Sequence, residues 1–278
     1  MSILHAIVLG ITQGLSEFLP ISSSGHLEIV PWLFGWDDFG DDEGLEQAFD
    51  VALHIGTLAG AAAYLWRDIV RYTAAGLGRP LRRQPLGTDG RIAWFLVISA
   101  VPAAITGILL EDLIFDLSDR IALIAVMLIA FGLLLLWADR LPGGRSVPEF
   151  TLRDALFMGT GQALALQPGV SRSGVTLTVS RYLGFERDSA ARLAFLMSLP
   201  VIGGAGLYRA VSVAADGGIP GSMVGGFVAG MVASALTGWL AVWGMLRFVR
   251  RRTFEPFVVY RVVLGVALII LVVAGFRS

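Results

Sequence analysis

Six stretches of the chain are apolar almost without interruption, at about 48–66, 92–110, 121–138, 193–214, 223–246 and 256–275. Each has about the length a helix needs to cross a bilayer, so the pattern predicts six transmembrane helices. Two further stretches, 1–35 and 155–185, are apolar but carry polar residues, Gly and Pro near their middles. Each is too long for one helix and too short for two ordinary spans. Each therefore predicts a re-entrant hairpin, which enters the membrane, turns at mid-depth and leaves on the same side. Irregular backbone at that depth survives only inside protein or beside a wet cavity.

The arginines sort the connecting segments. Segment 67–91 holds Arg67, Arg71, Arg79, Arg82, Arg83 and Arg91; 139–154 holds Arg140, Arg145 and Arg153; 247–255 holds Arg247, Arg250, Arg251 and Arg252. By the positive-inside rule these three face the cytoplasm. Segments 36–47 and 215–222 have no Arg, and 111–120 has one Arg among four acids. These three fit outside. The sides close consistently only if neither hairpin crosses, so the first enters from outside and the second from the cytoplasm.

Composition agrees with the pattern. Hydrophobic residues make up 55% of 278 and charged ones 15%, which excludes an ordinary soluble domain and disorder. The net charge of −1 gives no reason to expect a nucleic-acid partner. All 21 basic residues are Arg, and the absence of Cys excludes disulfides, thiolate metal sites and Cys nucleophiles. The first 20 residues lack a basic n-region, so no cleavable signal peptide is expected.

A shift of 149 residues superposes the hairpins: Gly10 on Gly159, Gln13 on Gln162, Ser22 on Ser171, Ser24 on Ser173 and Gly25 on Gly174. The expectation is one integral membrane domain, 1–278, of all-α class. It has two inverted-topology repeats, about 1–138 and 155–275, each with one re-entrant hairpin and three transmembrane helices. Broken helices meeting near the midplane are a transporter-like architecture. A lipid-phosphate transporter or flippase is therefore the rival reading to an enzyme. A non-catalytic scaffold sits poorly with ionisable residues at membrane depth.

Glu17, His26 and Arg172 lie in the two breaks, where ionisable residues are costly and functional by default. Gln13 and Glu17 are i and i+4 on one helix face. The Ser-Ser-Ser-Gly and Val-Ser-Arg-Ser-Gly turns precede helical stretches, and their backbone N–H groups and hydroxyls suit an anion. Arg172 adds a fork matched to phosphate. In the repeat, Ser23 stands opposite Arg172, His26 opposite Val175 and Glu17 opposite Leu166. One hairpin keeps the acid and the base and the other supplies the cation. Together they suggest metal-assisted phosphoryl chemistry.

The run from Gln13 through Glu17, Pro20, Ser22, Ser23, Ser24 and Gly25 to His26 resembles the first signature of the undecaprenyl-pyrophosphate phosphatase (bacitracin-resistance) family. That signature begins with Glu or Gln, three residues, then Glu. Pro168–Thr176 resembles the second signature at every fixed position, and Phe254–Arg261 resembles a late run of the family. The resemblance implies hydrolysis of a C55 isoprenyl pyrophosphate to its monophosphate, recycling the lipid carrier of cell-wall synthesis. It also implies bacitracin resistance, Mg²⁺ or Ca²⁺, and a site on the outer face of the plasma (inner) membrane. By position it assigns catalytic roles to Glu17, Ser23, His26 and Arg172. It assigns phosphate contacts to Ser22, Ser24, Ser171, Ser173 and Thr176, and metal binding to Glu17 with Gln13. Gln13 is Glu in many members, which puts a two-carboxylate site in doubt; an amide carbonyl still ligates. The nucleophile stays open between Ser23, His26 and a metal-bound water.

Several residues also carry structural readings. Ser23 also reads as an N-cap, and Glu17 with Arg172 as an ion pair between hairpins. His54 reads as a packing residue within a span, and His5 as non-catalytic. Arg261 either reaches the site or an acid, or snorkels to headgroups. The 247–252 arginines meet anionic lipid, and the acidic run 37–46 is a solvated loop. Gly225, Gly226 and Gly230 offer a helix contact for a possible homodimer.

Overall fold

A computed structural model of the chain describes residues 1–40, 42–81, 84–110, 117, 120–215 and 218–277. Within the segments used above to assign sides, Asp41, Arg82, Arg83, Glu111, Asp112, Asp116, Asp119 and Asp216 lie outside the described residues.

The first apolar stretch breaks where its composition says it should. Helix α1 (Ile3–Phe18) starts at an N-cap, Ser2, whose side chain accepts from His5 N–H. It stops at Leu19, held extended before Pro20. Helix α2 (Ser23–Phe34) follows and ends at the left-handed Gly35. The fused apolar run then becomes α3 (Glu43–Leu81), α4 (Thr88–Ile98) and α5 (Val101–Leu109). Helix α6 (Ile121–Asp139) follows, then a short 3₁₀ turn at Val147–Glu149. The second broken stretch gives α7 (Leu152–Leu164), started by a Thr151–Asp154 capping box, and α8 (Arg172–Tyr182). Helices α9 (Arg187–Ala215), α10 (Val224–Phe248) and α11 (Glu255–Val273) complete the order.

Among the described residues, six segments are long and apolar enough to cross a membrane: Gly44–Gly78, Thr88–Leu109, Ile121–Asp139, Arg187–Val213, Val224–Phe248 and Glu255–Val273. They match the six expected spans. Two details differ. The first span continues as helix well past Trp66, because Arg is a good helix former and only leaves the apolar zone. The second is interrupted at Ser99–Ala100, just before Pro102, whose missing N–H breaks the ladder. Large apolar side chains such as Val126, Leu133, Leu236, Val263 and Ile270 face outward, as lipid-exposed surfaces require.

Packing brings the broken stretches together. Helix α1 lies against α10, α10 against α3, α7 against α5 and α11 against α6. The α1–α10 seam is backbone-close: a Cβ on Gly10 would sit 2.4 Å from the Gly230 carbonyl oxygen, and one on Gly14 would sit 1.9 Å from Thr237 Oγ1. Gly230 thus serves an intramolecular contact, and Gly226 faces Met1 and Ala6. At the arginine-rich end, Asp139 accepts from Arg187 Nε at 2.6 Å and from Phe254 N at 3.0 Å, and Arg145 holds Asp154.

Candidate active site

The two breaks are built alike. Ser22 and Ser171, 149 residues apart, both precede a helix with positive φ, at 76° and 74°, where side-chain-bearing residues are rare. Both are N-caps, accepting from Gly25 N and Gly174 N. The cap is therefore Ser22, and Ser23 is the first helical residue. Its hydroxyl is free of capping duty and donates to Glu17 Oε2 at 2.6 Å.

The turns are stitched side by side. Ser22 Oγ also accepts from Gly169 N across the gap at 3.0 Å, and Ser173 Oγ donates to the Leu19 carbonyl at 2.9 Å. Gly169 has φ of 91°, and a Cβ there would meet the Ile124 carbonyl at 2.5 Å, so only glycine fits. Two helix N-termini with first-turn amides that no helical carbonyl can reach thus lie together. Such ends favour negative charge.

Glu17 is the hub. Its side chain is 1% exposed and is met from four helices. Arg172 of α8 donates to Oε1. Gln13 Nε2 donates to Oε2 at 2.9 Å, beside Ser23. His54 of α3 places Nε2 3.5 Å from Oε2, while its Nδ1 donates to the Asp50 carbonyl at 2.7 Å. A buried carboxylate persists only when so compensated. Arg172 remains 19% exposed, which leaves the cation accessible. Gln13 Oε1 is buried and has no hydrogen-bond partner among the described residues.

His26 stands apart from this hub. Its Nδ1 bonds the Ser22 carbonyl at 2.6 Å, and its Nε2 lies 2.7 Å from the Tyr260 hydroxyl. Beneath both turns lies Arg261, 0% exposed. Its Nη1 donates to the Pro20 carbonyl at 3.2 Å, and its Nη2 to those of Gly169 at 2.8 Å and Val170 at 3.0 Å. Nε reaches the Leu128 carbonyl at 2.9 Å, and Nη2 also that of Met127 at 3.3 Å.

The family model described as bacitracin resistance protein BacA matches residues 6–267. The chain belongs to that family. An undecaprenyl-diphosphatase of Pelotomaculum thermopropionicum is 44% identical over 276 residues, covering 99% of this chain and 98% of its own. Those of Pelobacter propionicus and Geobacter sulfurreducens are each 45% identical, over all of both chains and over 97% and 98% respectively.

In this BacA-family chain the structure groups Gln13, Glu17, Ser23 and Arg172 tightly. Ser171 and Ser173 lie 3.2 Å apart beside them. Thr176 turns its hydroxyl back to the Arg172 carbonyl at 2.7 Å, and Ser24 lies partly exposed in the first turn of α2. Three residues were only partly read from the sequence or were missed by it. His54 is no packing residue: it faces Glu17, and the signal was there, an ionisable side chain inside a span. Arg261 does reach the site, one of its readings, but through no acid among the described residues: the Pro20, Gly169 and Val170 carbonyls of the turns solvate it. Tyr260, its neighbour, contacts His26, which no spacing rule could show. His5 bonds Asp38 at 2.7 Å and stacks on Trp36, a tie far from the chemistry.

Proposed function

We propose that this chain hydrolyses undecaprenyl diphosphate to undecaprenyl phosphate and inorganic phosphate, recycling the lipid carrier for peptidoglycan synthesis and conferring bacitracin resistance. The named relatives, similar over the full chain, support the reaction. The observation that carries the site is the Ser23–Glu17–Arg172 triplet: a hydroxyl at a helix N-terminus, its proton acceptor 2.6 Å away, and a guanidinium on the same carboxylate. Nucleophile and acceptor within hydrogen-bond reach, oriented by a third group, are the signature of covalent catalysis. Ser23 Oγ attacks the terminal phosphorus as its proton passes to Glu17. The bond from phosphorus to the bridging oxygen breaks, and undecaprenyl phosphate leaves. Arg172 and the first-turn amides of α2 and α8 hold the oxygens on which charge develops. Water then cleaves the phosphoserine, and Glu17 returns the proton to Ser23.

Among the described residues no group of three or more His, Asp or Glu could hold a metal ion. One carboxylate and one orphaned amide oxygen, Glu17 and Gln13 Oε1, fit a Mg²⁺-type site that substrate oxygens complete. Mg²⁺ or Ca²⁺ there would neutralise diphosphate charge. Gln13→Leu should raise the metal concentration for half-maximal phosphate release; an unchanged requirement removes Gln13 from the metal site. Trapping of phosphoserine by acid quench and mass spectrometry tests the covalent step. Full activity of Ser23→Ala refutes it.

The inverted repeat is supported by the twin Ser22 and Ser171 turns, and by α1 packing on α10 as α7 packs on α5. We read both broken stretches as re-entrant hairpins, with the site open to the outer side of the plasma (inner) membrane. The chain has no native Cys, so single cysteines at Asp38 and at Arg251 report sides directly. Impermeant labelling of the first and protection of the second are expected, and the reverse overturns the orientation. The transporter reading has no observation of its own behind it.

A further inference from the structure

His26 is bonded at both ring nitrogens, and the partners dictate where its protons sit. The Ser22 carbonyl can only accept, so Nδ1 carries the hydrogen of that 2.6 Å bond. In the neutral ring Nε2 then has a lone pair, and the group aimed at it is the Tyr260 hydroxyl, 2.7 Å away. The two rings lie within 13° of parallel, with centroids 5.7 Å apart. Ser23 does not share this bond, since its proton goes to Glu17. His26 is 7% exposed and Tyr260 43%. The backbone on which Tyr260 sits is fixed to both turns through its neighbour Arg261. The basic nitrogen of His26 is thus covered by the hydroxyl of a residue that is itself partly exposed.

We propose that Tyr260 carries the proton between the reacting water and His26. The inference rests on the covalent reading for its first step and concerns the second. Water attacks the phosphoserine phosphorus, forming the new P–O bond as the P–Oγ bond breaks. The water proton moves to the Tyr260 oxygen as the tyrosine gives its own hydroxyl proton to His26 Nε2. Tyr260 stays neutral throughout, and the imidazolium returns its proton to the departing phosphate. Ser23 Oγ recovers its proton from Glu17.

The test uses the full-length protein in detergent with undecaprenyl diphosphate. Tyr260→Phe keeps the ring and removes the relay, and its melting temperature should match wild type. Steady-state phosphate release should fall on the order of 10²-fold, the range of general-base catalysis. The single-turnover burst of undecaprenyl phosphate should persist, and phosphoserine should accumulate on Ser23. His26→Gln should lose a similar factor, and the double variant should be no slower than the slower single one, because both interrupt one path. Wild-type phosphate release by Tyr260→Phe overturns the proposal, as do losses that multiply in the double variant. If no phosphoserine forms in any variant, the covalent reading fails. The cycle between positions 26 and 260 then still decides whether they act as one.

Discussion

Replacing Arg261 with methionine should loosen both turns at once. Methionine keeps an unbranched apolar stem, shorter than arginine's, and removes five donors. The Leu128 and Met127 carbonyls keep the N–H partners of their own helix. The Pro20, Gly169 and Val170 carbonyls belong to turns and depend on the guanidinium. Hydrogen bonds to a charged group contribute roughly 1.5–3 kcal/mol each, so three of them amount to roughly 5–9 kcal/mol. Against this, the variant no longer buries a cation without a carboxylate partner, which recovers several kcal/mol. The net loss is about 2–5 kcal/mol. At the roughly 2–4 °C per kcal/mol of a chain this size, melting in detergent should drop by roughly 4–20 °C. Phosphate release should be lost even well below the new melting point, because Ser23 and Arg172 follow the turns directly. Arg261→Lys should rescue little: one ammonium cannot reproduce a planar fork that spans two turns. Wild-type melting together with wild-type turnover in Arg261→Met would refute the reasoning.

Glu17→Gln and Arg172→Lys should each lower phosphate release by about 10²–10³-fold, the effect of losing one transition-state charge partner; a loss under threefold in a radiometric assay removes that residue from the chemistry. His54→Gln, which can still point an amide N–H at Glu17, should keep most activity, while His54→Leu should lose at least about tenfold. Equal rates for the two would return His54 to a packing role. Gly14→Ala places a methyl where Thr237 and the Ser234 carbonyl already stand, and over-packing of about 1–3 kcal/mol should lower the melting temperature by several degrees. Unchanged melting would mean that α1 and α10 do not meet as described.

The spans were legible because lipid imposes a length on each. The breaks were legible because Pro20, Gly169 and runs of Ser interrupt that length. Glu17 and Arg172 announced themselves as charges where charge is costly. A run of three serines did not say which one caps: the positive φ of Ser22, matched at Ser171, settles it and leaves Ser23 for Glu17. His54 and Tyr260 lie 37 and 234 residues from their partners Glu17 and His26. Such contacts follow from how helices pack, not from any local period. Arg261 was legible as an anomaly only, since backbone carbonyls leave no mark on a sequence. Of the glycines that read as a surface for another copy, Gly226 and Gly230 also pack against α1, whereas a Cβ on Gly225 would meet nothing within 4 Å; close backbone approach looks the same within a chain as between chains.

The guanidinium of Arg261 also sets an order of events. Ribosomes deliver the chain from its N-terminus, so Pro20 and Gly169 enter the membrane long before Arg261 exists. Until α11 arrives, the two turns have only their mutual hydrogen bonds and lack the guanidinium that ties both, and His26 lacks Tyr260. A nascent chain with both signature motifs already inserted would be unable to hydrolyse the lipid diphosphates around it. Activity is thereby tied to completion of synthesis: any truncation upstream of α11 should yield a protein that is membrane-inserted, recognisable by its motifs, and inert.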